Sequence, residues 1–123
     1  MEDKDWINAA TQVQGLVMTL WTVYVAIVGA TLAFVTSGRI MLQRPHVRLL
    51  VIAAYWIASS VNLWAMLNLR KQHDLMAFSI KDSSLSTLKH YMLRPKPRVY
   101  IAIHLGVDIG MTVVAWNLPR FPA

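Results

Sequence analysis

His104 and Asp108 are the two clearly ionisable residues set well inside a long apolar stretch, about residues 99–118. Four positions apart on a helix, they share a face and stand within hydrogen-bond reach of each other. An imidazole and a carboxylate in an apolar span suit three roles: a structural hydrogen bond to a neighbouring helix, a proton relay, or an ion site. The first is the simplest. A charge at a bilayer midplane costs ~2.5–3.5 kcal/mol on insertion scales, so Asp108 has to face protein or water and find a partner there. Haem is a fourth option. Bis-histidine ligation needs two spanning helices that each offer a histidine, so two copies would have to meet around His104.

No other constellation points to catalysis. Ser83, Ser84 and Ser86 lie near His90, but no G-x-S-x-G turn frames them. There is no H-E-x-x-H, no paired-histidine metal motif and no Walker loop. With no cysteine, thiolate metal sites and disulfides are ruled out. The expectation is a non-enzymatic chain with no cofactor and no metal.

The elements that must position His104 and Asp108 are apolar helices. Of 123 residues 56% are hydrophobic, and the mean hydropathy is +0.44, high for a soluble domain of this size. Three stretches reach the ~20 residues that cross hydrocarbon. The reading is an all-α integral membrane protein of one domain, 1–123, with spans at about 14–37, 48–69 and 99–118. The start is acidic and the first apolar core too long for a secretory signal, so the first helix is expected to be retained.

The first span carries an unusual stripe: Asn8, Gln12, Gly15, Thr19, Thr22, Ala26, Gly29, Ala33 and Thr36. The spacing alternates four and three, a heptad period, and no position holds a large apolar side chain. The opposite side carries Val17, Trp21, Tyr24, Val28, Leu32 and Val35. In a bilayer this predicts a small face toward protein and a bulky face toward lipid. Dry packing, with the hydroxyls bonded to their own backbone, is favoured over a wet pore lining. The second span repeats the theme, with Ala54, Ala58, Val61, Asn62 and Ala65 against Leu49, Ile52, Trp56, Leu63 and Leu67. Asn62 is placed to hydrogen-bond across the seam. In the third span Gly106 and Gly110 form a G-x-x-x-G pair nearly opposite His104 and Asp108. Two faces of one helix then avoid lipid, and the first two spans can cover only one of them. The glycine face is expected to meet a second copy or another membrane subunit.

Residues 70–98 read as a basic segment lying on the membrane, with Arg70, Lys71, Lys81, Lys89, Arg94, Lys96 and Arg98 near anionic headgroups. Asp82 or Ser83 caps a short helix within it. The net charge of +6 carries no nucleic-acid motif, so no nucleic-acid partner is expected. Lys4 and these cations outweigh Arg39, Arg44, Arg48 and Arg120, which predicts a cytoplasmic N-terminus and an outside C-terminus in a bacterial inner membrane. The leading expectation is a homo-oligomeric pore or permeabilising assembly. The alternatives are an accessory subunit of a larger membrane complex and a proton-relay or haem-binding component built on His104 and Asp108.

Overall fold

The computed structural model of the chain describes residues 2–93 and 96–117, with Ser83 described by its backbone alone. Arg94 and the expected end of the third span at Leu118 lie outside the described residues, as does Arg120. The described residues are all helical, with no strand. Helix α1 covers Asp3–Val35, α2 Pro45–Phe78, α3 Ser86–Met92 and α4 Pro97–Asn117. Three segments, Asp3–Val35, Pro45–Phe78 and Ser86–Asn117, contain helices long and apolar enough to cross a membrane.

Local chemistry sets the boundaries. The Glu2 N–H donates to the Asp5 carboxylate at 3.0 Å, satisfying one of the free donors at the start of α1. The helix thus begins at Asp3, with Asp5 inside its first turn. Gly38 ends the stretch in the left-handed region, at φ 71°, which glycine enters without a Cβ penalty. One 3₁₀ turn, Ile40–Gln43, links α1 to α2, and Pro45 opens α2 from its first turn. A link this short makes α1 and α2 an antiparallel hairpin. At the far end the Asp3 carboxylate accepts the N–H groups of Lys81 at 3.0 Å and Asp82 at 2.8 Å, just past the end of α2.

Helix α4 lies antiparallel to α2. Its residues Tyr100, Asp108, Thr112 and Trp116 meet Arg70, Ser59, Trp56 and Arg48 in reverse order. Helix α2 is the central element, since α1 and α4 each pack against it far more extensively than against each other. Val17, Met66 and Tyr100, one residue from each long helix, form the apolar core, flanked by Leu20, Trp21, Leu63 and Leu69.

The first-span expectation about faces is reversed. Gly15, Thr19, Thr22, Ala26, Gly29 and Ala33 are all exposed on the outside of the bundle. Val17, Tyr24 and Val35, from the bulky side, are buried. The reason lies inside the bundle. Three helices around a polar centre need long side chains to fill the space between axes, and the small stripe offers none. The stripe hydroxyls bond back along the helix, Thr19 to the Gly15 carbonyl at 3.1 Å and Thr22 to that of Met18 at 3.2 Å. The second span departs in the same sense. Asn62 is buried as expected, but Ala54 and Val61 are exposed, and Trp56 turns inward.

The basic segment is shorter than expected. Helix α2 runs unbroken through Arg70 and Lys71 to Phe78. Arg70 is fully buried, so its assignment to lipid headgroups is wrong. Lys71, Lys81, Lys96 and Arg98 are exposed. Lys89 folds back, its Nζ lying 5.4 Å from the Phe78 ring centroid and donating to the Phe78 carbonyl at 3.4 Å. The Asp82 carboxylate takes the Ser84 N–H at 2.9 Å and its hydroxyl at 2.8 Å, capping the 3₁₀ turn that leads into α3.

Candidate functional site

Asp108 sits in the middle of α4 with 3% of its surface exposed. Each long helix aims polar side chains at it. The Tyr24 hydroxyl of α1 donates to Oδ1 at 2.9 Å, and the Tyr55 hydroxyl of α2 donates to the same oxygen at 2.7 Å. Ser59, one turn on from Tyr55, donates to Oδ2 at 2.6 Å. Tyr24, Tyr55 and Ser59 are buried. Among the described residues Asp108 has no ion pair. Its charge is met by hydroxyl dipoles alone, which accept a hydrogen bond as readily as they donate one.

The donors follow from helix geometry. Tyr55, Ser59 and Asn62 recur at spacings of four and three, so they project from one stripe of α2. The stripe continues through Met66, Arg70, His73 and Ala77, all buried. Below the carboxylate, Thr112 donates its hydroxyl to the Asp108 carbonyl at 2.8 Å and receives the Trp56 indole N–H at 2.8 Å. This second hydrogen-bonded layer fixes the α4 backbone against α2 where the carboxylate emerges.

His104 shares the buried face with Asp108, as expected, but the two side chains do not bond to each other. The His104 Nδ1 lies 3.1 Å from the Tyr100 carbonyl. Its ring stacks on Tyr24, centroid to centroid 3.8 Å and 22° from parallel, and tilts against Trp21 at 5.3 Å. Nδ1 on a carbonyl oxygen must carry the proton, which makes Nε2 the acceptor of a neutral ring. Nε2 is buried with no hydrogen-bond partner among the described residues. The stacking on Tyr24 and the Nδ1 contact with the Tyr100 carbonyl hold the ring in place.

One turn further toward the α4 N-terminus, Tyr100 accepts a hydrogen bond from Arg70 Nη1 at 3.1 Å. The Arg70 Nε pairs with Asp74 at 2.8 Å, and Nη2 donates to the Met92 carbonyl at 3.3 Å. His73 Nδ1 approaches the same Asp74 oxygen at 3.2 Å. A buried guanidinium is tolerable only when its donors are taken up in this way. A column of polar side chains therefore runs along the bundle axis from His73 and Asp74, through Arg70, Tyr100 and His104, to Asp108. Asn62 flanks it and donates to the Leu20 carbonyl of α1 at 3.1 Å, across the α1–α2 seam.

The remaining residues singled out from the sequence stay apart from this centre. Gly106 and Gly110 are exposed, and a Cβ added at either, or at Gly15 or Gly29, meets nothing within 4 Å among the described residues. No group of three or more metal-ligating side chains occurs among the described residues. No protein family, curated protein or solved structure matches the chain. Sequence reading missed Tyr24, Tyr55 and Ser59. Tyr24 was taken for a lipid-facing aromatic, and the signal that finds the other two is their registry with Asn62 on α2.

Proposed function

We propose that this chain is a three-span integral membrane protein whose working element is the Asp108 centre, a proton-binding site held inside a single bundle. The observation that carries this reading is a buried carboxylate met by three hydroxyls and no cation. Intramembrane carboxylates of this kind mark proton paths. Oδ1 accepts two hydroxyls, whereas Oδ2 accepts only Ser59. Oδ2 is therefore where a proton adds: Ser59 Oγ, 2.6 Å away, then turns from donor to acceptor by rotation of its hydroxyl. His104 and Tyr100 stand between this site and the Asp74 end of the column, where water reaches the protein. The exposed cations Lys71, Lys81, Lys96 and Arg98 lie at that same end with the N-terminus. The positive-inside rule makes it the cytoplasmic end, in a bacterial inner membrane bearing anionic headgroups.

The test is infrared difference spectroscopy of the purified protein between about pH 9 and pH 4, wild type against Asp108→Asn. A protonated-carboxyl C=O band present only in the wild type is expected, together with proton uptake into liposomes that Asp108→Asn abolishes. If both proteins give the same spectrum and the same flux, Asp108 is a structural acceptor only.

A second reading is favoured by a separate observation. The α1 stripe and the α4 glycines face outward and are vacant, as surfaces for close helix approach would be in a homo-oligomeric pore or a complex with another membrane subunit. The protein mass in mild detergent decides it: a single chain per particle removes the oligomeric pore.

A further inference from the structure

Two compartments lie along one side of α1, the first against α2 and α3 and the second against α4, where α1 and α4 touch each other little. The first, about 190 Å³, is lined by Thr11 and Gln14 of α1, His73 of α2, and Tyr91 and Met92 of α3. The second, about 390 Å³, is lined by Gln14, Met18, Trp21, Val99, Tyr100 and Ile103. Gln14 belongs to both. Thr11, Gln14, Met18 and Trp21 follow the three-four spacing of one helix face, so the compartments lie in succession along α1.

Their chemistries differ. The first is polar but carries no Lys, Arg, Asp or Glu among its lining residues. It offers the Gln14 amide, the Tyr91 hydroxyl and the His73 imidazole. His73 is 2% exposed. Its Nδ1 is engaged by Asp74, so Nε2 is the atom it has left for a ligand. The Gln14 Oε1 is buried with no hydrogen-bond partner among the described residues, a costly arrangement that a ligand hydroxyl relieves. The second compartment is apolar. Trp21 and Tyr100, edge to face at 5.3 Å, form its floor, and the exposed Met18, Val99 and Ile103 form its lips.

We infer that this groove binds an uncharged, ring-headed amphiphile of the quinone and quinol class, its oxygenated ring among Gln14, His73 and Tyr91 and its apolar tail over Trp21, Tyr100 and Ile103. A phosphate headgroup calls for cations, and the described residues that line the polar compartment include none. An uncharged ring with two oxygen substituents matches both the donors and the acceptor present. Trp21 and Tyr100 offer aromatic faces at the boundary between the ring and its tail. The site is independent of proton binding at Asp108, so Asp108→Asn retains it.

The experiment titrates the full chain in mild detergent with decylubiquinol, whose ring hydroxyls can donate to the Gln14 Oε1, and reads quenching of tryptophan fluorescence. Saturable quenching is expected, and Trp21→Phe removes a large part of its amplitude. Gln14→Leu weakens binding about fivefold to tenfold, the equivalent of one hydrogen bond. Gln14→Leu replaces an unsatisfied buried oxygen with carbon, so melting stays level with the wild type and lost binding is not lost fold. Dihexanoyl phosphatidylglycerol at the same concentration does not displace the quinol. Non-saturable quenching, wild-type affinity in Gln14→Leu, or displacement by phosphatidylglycerol overturns the inference, the last by making the groove a phospholipid site.

Discussion

Removing single hydroxyls from the Asp108 centre should cost unequal amounts, and the order is set by which carboxylate oxygen each one serves. Tyr55→Phe deletes one of two donors to Oδ1 and leaves Tyr24 at 2.9 Å. It opens almost no cavity, so the loss is one partly redundant hydrogen bond, about 0.6–1.5 kcal/mol. Ser59→Ala deletes the only donor to Oδ2 among the described residues. A buried charged oxygen is then left unsatisfied, and the loss rises to about 1.5–3 kcal/mol. The assay is reversible unfolding in mixed micelles, followed by helical circular dichroism and tryptophan fluorescence. In an Asp108→Asn background the acceptor is no longer charged, so both losses should shrink and the gap between them should close, with a coupling of about 1 kcal/mol for Ser59. Tyr55→Phe equal to or worse than Ser59→Ala, or a gap that survives Asp108→Asn, would refute the claim that hydroxyl dipoles carry this charge.

Three further outcomes follow from the same geometry. Arg70→Met removes a fully buried guanidinium together with its bonds to Asp74, Tyr100 and the Met92 carbonyl; by stripping Asp74 of its guanidinium and leaving it the His73 contact it should destabilise by about 3 kcal/mol, read in the same unfolding assay. Gly106→Leu with Gly110→Leu adds side chains to a face that touches nothing within the chain, so helicity and melting should hold while any oligomer falls to a single chain on light scattering. Asp82 is held below the ordinary carboxylate range first by the Ser84 backbone N–H and then by its hydroxyl; the capping is complete above about pH 4 and lost as pH falls through the lowered value, so the protection factor of the Ser84 amide, taken against its intrinsic exchange rate at each pH, should fall on acidification in the wild type and already be low in Asp82→Ala.

Much of this architecture is legible in the sequence, because apolar length and the turn chemistry of Gly38 and Pro45 act locally. The polar face of α4 is legible too: a carboxylate in an apolar helix has few places to go, and His104 and Asp108 point inward. What stays hidden is the far half of α2. Its buried stripe is Ser59, Asn62, Met66, Arg70 and His73, a polar interior that lowers the apparent hydropathy and makes the helix seem to stop near Leu69. The rule that small residues face protein also failed on α1, because it describes contacts between closely packed axes. Here the axes are held apart by Trp21, Tyr24 and Tyr100, and the small stripe is left outside. His104 and Asp108 were paired on spacing alone. The i,i+4 relation puts two residues on one face, but an aromatic stack with Tyr24, eighty positions away, decides where the imidazole turns.

The distribution of donors and acceptor along the chain has a consequence for biosynthesis. Tyr24, Tyr55 and Ser59 all precede Asp108, and they sit on the two helices that leave the ribosome first. Those hydroxyls are tolerable in lipid while they wait, since a serine can bond to its own backbone and a tyrosine is largely apolar. Asp108 has no such refuge. On the membrane reading proposed above, the α1–α2 hairpin is a receptor with its dipoles in place when α4 emerges, and the last helix enters the bilayer by docking rather than by dissolving in it. A permuted chain that delivered α4 first would present the carboxylate to hydrocarbon with nothing to receive it.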